Sequence, residues 1–329
     1  LVAIKHLKGK SMQSASRLQL FPVSFFAVVM GLAGLTIAWR KAEVVFKPPL
    51  PVSCLIEPVT VLVFVLLIAV YSLKLLRHPG AVVAELKHPI KLNFFATISI
   101  GLLLLAVVYM EGNPTTARRL WLAGALLHFG FTLYVMSARI HHTHFEVVHV
   151  NPAWFIPVVG NIVAPIAGVR FFSPEISWFF FSVGLVFWIV LLTIVMYRLF
   201  FHAPLPERLM PSLFILIAPP AVGFLAYFNL SGEIDGFARV LYYTALMLTL
   251  LLAANGVRFL KLKFFLSAWA YSFPLAAVTI ASLVMTQQLG GVGFEWLSMV
   301  LLGVLSTVVA ALFVRTLVAV ARREICVEE

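Results

Sequence analysis

The sequence predicts an all-α integral membrane protein: ten transmembrane helices arranged as five helical hairpins, with the odd-numbered helices kinked around a central path. Three observations carry this. Of 329 residues, 62% are hydrophobic and 11% charged, with a mean hydropathy of +1.04; soluble domains sit nearer half apolar and a quarter charged. Ten apolar runs are long enough to cross a bilayer core of about 30 Å. Prolines concentrate in alternate runs.

The runs lie near 21–39, 52–76, 91–110, 118–138, 152–171, 175–200, 210–230, 236–257, 263–288 and 293–320. Basic residues precede the first run as they would in a signal peptide, yet no small-residue cleavage site ends it, so a retained first span is expected. An even number of spans puts both termini on one side. The termini and the loops after even-numbered spans hold 17 of the 24 Lys and Arg residues, which predicts that this side is cytoplasmic. The division expected is a basic amino-terminal segment over 1–20, a transmembrane domain over 21–321 and a cytoplasmic tail over 322–329. Trp39, Trp121, Trp154, Trp178 and Trp296 fall near run ends, as an interfacial aromatic belt would.

Pro22, Pro152, Pro157, Pro165, Pro211, Pro219, Pro220 and Pro274 lie in odd-numbered runs, against Pro58 alone in the even ones. Five odd starts look alike, "FPVSFFAVVMG", "HPIKLNFFATI", "NPAWFIPVVGN", "MPSLFILIAPP" and "SAWAYSFPLAA", recurring every 57 to 67 residues. That period indicates a repeated helical hairpin. Proline removes a helix hydrogen bond, and broken helices persist in lipid where freed backbone groups meet protein or water. The odd spans are therefore expected to ring a path, with the smoother even spans outside.

The middle thirds of the spans hold almost no ionisable side chains; Glu57 sits at a span start, and Asp235, the only aspartate, in a loop. A proton-coupled carrier would need an intramembrane relay, and a cation path carboxylate rings or filter carbonyls. The formal charge of +11 is dispersed over short loops, which argues for membrane anchoring and against nucleic acid. An anion is the better passenger. Dipoles at kinked helices and donors such as Ser24, Thr97, Ser99, Asn161 and Ser272 would compensate its charge; the same polar groups could equally serve as helix–helix hydrogen bonds. His141, His142, His144, His149 and Glu146 crowd one loop in a spacing open to a transition metal or to pH sensing, but with no supporting context no metal site is assigned. Cys54 and Cys326 fit no bridge or metal pattern. No catalytic constellation stands out, so no enzyme and no cofactor are expected.

"FPVSFFAVVMGLAGLTIAW", "HPIKLNFF", "NPAWFIPVVGNIVAP", "LMPSLFILIAPPAV" and "WAYSFPLAAVTIAS" resemble the successive odd-helix motifs of the tellurite-resistance/dicarboxylate transporter family, which includes bacterial TehA and the plant guard-cell slow anion channels. The resemblance implies a homotrimer in the cell membrane, a bacterial inner membrane by the TehA likeness, with one pore per protomer passing chloride, nitrate and similar small anions. It implies a gate at Phe273, where a kink at Pro274 would project the ring across the lumen, opposite Ala27; with the donors Ser24, Thr97, Ser99, Asn161 and Ser272 and the kinking Pro157, Pro219 and Pro274 these are the expected pore-lining positions. Ala27 matches a glycine that relatives keep opposite the gating ring, and Ser99 stands where some relatives kink with proline. The family's other names imply an alternative, a secondary carrier for dicarboxylate, sulfite or a tellurium oxyanion.

Overall fold

The computed structural model describes residues 16–141 and 145–326. Among these, ten helices are long and apolar enough to cross a membrane: Val23–Phe46, Val52–Arg77, Lys91–Tyr109, Pro114–His141, Pro152–Phe171, Pro174–Phe201, Glu207–Ser231, Gly236–Ala254, Leu266–Leu289 and Val292–Ala321, here spans 1 to 10. The chain is an all-α membrane protein. Span 1 runs past the charges at Arg40 and Lys41 to Phe46, seven residues beyond the apolar run that announced it. Helical backbone bonding continues where hydropathy stops.

The spans form five consecutive hairpins, each odd span packed against the even span that follows it. The odd spans also touch one another in a closed ring, 1 to 3 to 5 to 7 to 9 and back to 1. Burial separates the two sets. In the most apolar 18-residue window of each odd span, 72–78% of residues are buried inside the protein, against 22–33% in the even spans. Outward faces of the even spans carry Leu62, Leu126, Ile189, Leu250 and Val314, each more than half exposed. Such a surface is unfavourable in water and suits a hydrocarbon environment.

Every odd span opens with a 3₁₀ segment: Val23–Phe25, Lys91–Phe95, Pro152–Trp154, Glu207–Ile217 and Leu266–Tyr271. These coincide with the five look-alike starts in the sequence. The prolines sit where the tighter coil passes into α-helix. Pro165 opens Pro165–Phe171, Pro219 is second in Ala218–Ser231, and Pro274 is third in Ser272–Leu289. In a first α turn the missing N–H has no intrahelical acceptor to lose. The junction is also better bonded than a bare kink, since the Ser272 N–H donates to the Trp269 carbonyl. Pro114 and Pro174 likewise open spans 4 and 6, so proline is not confined to odd spans; in the even ones it marks the first turn and, at Pro58, the interior.

Three of the five tryptophans near span ends hydrogen-bond inside the protein. Trp39 donates to Ser306 Oγ (3.0 Å), buried Trp121 to the Ala164 carbonyl (2.7 Å) and Trp154 to the His149 carbonyl (3.0 Å). Trp296, by contrast, is 64% exposed. At the end of the bundle that carries the termini, Lys74 of span 2 and Glu85 of the short helix Pro79–Lys87 form a buried ion pair at 2.8 Å. Tyr71 donates to the same carboxylate (2.8 Å) and Lys74 to the Phe21 carbonyl (2.7 Å). The hairpin of spans 1 and 2 is thereby fixed at its base.

Candidate functional site: a cavity inside the ring of odd spans

A cavity of about 150 Å³ lies within the ring, and all five odd spans and no even span contribute to its wall. Span 9 supplies Phe273, Ala277, Ile280 and Val284, and span 1 supplies Gly34, Ile37 and Lys41. These spacings of three and four residues keep each set on a single helix face. Leu104, Ile166 and Val222 continue the wall from spans 3, 5 and 7. From Phe273 to Val284 the helix rises about 16 Å. The cavity therefore occupies the half of the bundle remote from the termini. Phe273 and Gly34 stand at its inner end, and Lys41, Met110 and Asn229 toward the other.

Phe273 is half-buried. It directly precedes Pro274, in the first turn after the 3₁₀ start of span 9, and its ring meets the wall rather than lipid. Beside the ring, span 1 carries glycine at positions 31 and 34. A Cβ built on Gly34 would lie 3.7 Å from Phe273 Cδ2 and only 2.7 Å from Ala276 Cβ. One turn earlier, a Cβ on Gly31 would meet Ser272 Oγ at 2.3 Å. Small residues on both helices bring spans 1 and 9 into close contact, as in other membrane helix pairs. Gly34 of span 1 thus lies beside the Phe273 ring. Ala27 lies two turns earlier, half-buried and off the cavity wall.

Several other residues expected along the path hydrogen-bond within their own turn or to a neighbouring helix. Thr97 Oγ1 donates to the Phe94 carbonyl (2.5 Å) and Ser272 Oγ to the Trp269 carbonyl (2.6 Å). Ser99 Oγ donates to the Ala96 carbonyl and pairs with His128 Nδ1, both at 2.9 Å. Asn161 Nδ2 donates to Thr132 Oγ1 (2.8 Å) and to the Val158 carbonyl (2.7 Å), while Thr132 Oγ1 donates to the Pro157 carbonyl (2.7 Å). Thr97, Ser99, Asn161 and Ser272 are at most 1% exposed; Pro157, Pro219 and Pro274 are buried as well. None of the seven borders the cavity. In hydrocarbon surroundings a hydroxyl or amide gains most from a protein partner on its own or a neighbouring helix, and this cavity reaches only the half of the bundle remote from the termini. Ser24 is half-buried in the 3₁₀ start of span 1, also off this wall.

Sequence reasoning missed Gly34, Lys41 and Asn229. Lys41 is the only ionisable residue on the wall and donates to Gln287 Oε1 of span 9. Asn229 is the other polar side chain there, its amide donating to the Leu225 carbonyl at 2.7 Å. The rest of the wall is apolar. Charge at the two ends of the bundle is unequal. The loops and span ends on the side of the termini hold 17 basic and 6 acidic residues, and those on the cavity side 7 of each.

Of the histidine-rich loop, His142 and His144 lie outside the described residues. His141 Nδ1 bonds the Ser137 carbonyl (2.9 Å), and His149 Nδ1 accepts from the Glu146 N–H (3.1 Å). Among the described residues no three His, Cys, Asp or Glu converge as metal ligands.

Residues 20–317 match the family model SLAC1, voltage-dependent anion channel. The chain is 29% identical over 300 residues to an uncharacterized transporter, MJ0762, of Methanocaldococcus jannaschii, covering 82% of this chain and 86% of that one. It is 28% identical to the S-type anion channel SLAH2 of Arabidopsis thaliana, over 93% of this chain but 60% of that longer protein. A tellurite resistance protein TehA homolog of Haemophilus influenzae is 26% identical over 78% of this chain and 79% of its own length.

Proposed function

The chain belongs to the voltage-dependent anion channel family, and on that premise we propose that it is a passive, weakly selective channel for chloride, nitrate and similar small anions, gated by Phe273. One observation carries the reading: the cavity is walled by the odd spans alone and ends on the ring beside Pro274. A bare ion entering low dielectric faces a cost on the order of tens of kcal/mol, so an anion must keep most of its hydration or find charge along the way. A wall with a single cation and few donors offers no deep trap, so it favours fast exit over tight binding. Such a path sorts anions by their ease of dehydration. With an aromatic ring across it, the lumen closes by sterics and dewetting. Turning that ring off its preferred rotamer costs roughly 0.5–1.5 kcal/mol, small enough for gating.

The basic surplus on the side of the termini supports a cytoplasmic placement of both ends and would concentrate anions at that mouth. Assembly as a homotrimer is proposed from the family resemblance and is open to native mass spectrometry. Phe273→Ala, reconstituted in liposomes, is expected to raise chloride and nitrate currents at least tenfold over wild type. Unchanged currents in a well-folded variant would refute the gate. Saturable uptake driven by a proton gradient would instead favour a carrier of dicarboxylate, sulfite or a tellurium oxyanion.

A further inference from the structure

We infer that Lys41 forms an anion-recruiting site at the end of the cavity remote from the termini and sets the preference for anions over cations there. The inference rests on the channel reading and adds a residue to it. Four observations combine. Lys41 is the only ionisable side chain on a wall built by five helices, so whatever traverses the cavity passes its field. Its hydrogen-bond partner is the neutral amide of Gln287, and among the described residues it forms no ion pair.

The carboxylates closest to it in the chain are engaged elsewhere. Glu57 pairs with Arg40 at 2.6 Å, and Glu43 accepts from the Ser53 N–H (2.7 Å) and hydroxyl (2.6 Å). Basic and acidic residues on this side balance, so no general surplus attracts anions as it would at the other mouth. The unneutralised charge in the lumen is that of one ammonium. Gln287, two turns beyond Ile280 on span 9, anchors this ammonium at the cavity's end without cancelling its charge. A compact ammonium with three donors suits a small monovalent inorganic anion that retains part of its water shell.

Three substitutions separate charge from packing. Lys41→Gln keeps a hydrogen-bond donor for Gln287 and loses the charge; Lys41→Glu reverses it; Lys41→Arg preserves it. Made on Phe273→Ala to secure current, Lys41→Gln is expected to lower the chloride-to-potassium permeability ratio, read as a reversal-potential shift under a KCl gradient, by about tenfold. That is the scale of a unit charge a few ångström from the ion under partial screening. Lys41→Glu should lower the ratio further, and Lys41→Arg should keep it. A ratio unchanged in Lys41→Gln overturns the site, as does one lost equally in Lys41→Arg.

A second reading needs no current: bromide titrated onto purified wild-type protein should raise its thermal stability, and Lys41→Gln should abolish that rise. Absence of any bromide effect in wild type counts against the site. Should Phe273→Ala carry no current while Lys41→Gln still removes the bromide effect, the channel reading fails and the site stands.

Discussion

Gly34→Ala tests the close packing of spans 1 and 9 beside the Phe273 ring. The added Cβ would lie 2.7 Å from Ala276 Cβ, about 1 Å inside the optimal carbon separation. Ala276 is fully buried, and its Cβ is rigid, so spans 1 and 9 must part or tilt. Overpacking of this kind costs typically 1–3 kcal/mol, while replacing a mid-helix glycine returns about 1 kcal/mol. The net destabilisation expected is therefore roughly 0–2 kcal/mol. Gly303→Ala provides the reference. Gly303 lies exposed on span 10 with nothing within 4 Å of a built Cβ, so that variant should keep the helix gain alone. The difference between the two variants isolates the clash, about 1–3 kcal/mol. Gly34→Ala combined with Ala276→Gly should recover most of it, a coupling expected only of residues in contact. With Ala276→Gly alone completing the cycle, thermal unfolding in detergent ranks the five proteins including wild type, and basal anion flux in liposomes reports whether parting the helices loosens Phe273. If Gly34→Ala proved as stable as Gly303→Ala, or if the double variant were merely additive, the close contact of spans 1 and 9 would be wrong.

Glu85→Gln would leave the Lys74 ammonium buried without its counter-charge, and breaking a buried pair in this way costs about 3–5 kcal/mol. A large drop in melting temperature is expected, smaller when Lys74→Met accompanies Glu85→Leu; a Glu85→Gln protein as stable as wild type would contradict the pairing. Asp235 caps span 8, and the Ala238 N–H, followed by the Tyr227 hydroxyl, holds its carboxyl below the usual aspartate range. A lowered folded-state pKa means stability present above the ordinary aspartate value and lost as pH falls through the folded one. The gap in melting temperature between wild type and Asp235→Asn should therefore close on acidification below that range. A gap that persisted in strong acid would contradict this assignment.

Much of the architecture is legible in the chain because it is written in local terms. A run of 20 apolar residues needs a bilayer whatever its neighbours are, and a proline constrains its own turn wherever the helix lies. Hence ten spans, five hairpins and an inner ring of broken helices follow from hydropathy, proline positions and the repeat. Phe273 beside Pro274 stands out by the same local signal together with the family resemblance. The site is different. Odd spans are apolar around their whole circumference, so no amphipathic stripe tells the lumen-facing side from those facing other helices. Thr97, Ser99, Asn161 and Ser272 read equally well as pore donors or as helix clasps; all four are buried and hydrogen-bonded within the bundle.

The sequence by itself determined which segments cross the membrane, which of them are bent and where the bends lie, since each follows from a few adjacent residues. The tertiary structure alone decided the rotation of each bent helix about its own axis. That rotation set Gly34 beside the Phe273 ring, and brought Lys41, in sequence an ordinary interfacial lysine, onto the cavity wall. It is fixed by how five helices close a ring through contacts between residues far apart in the chain, and no single helix contains that information.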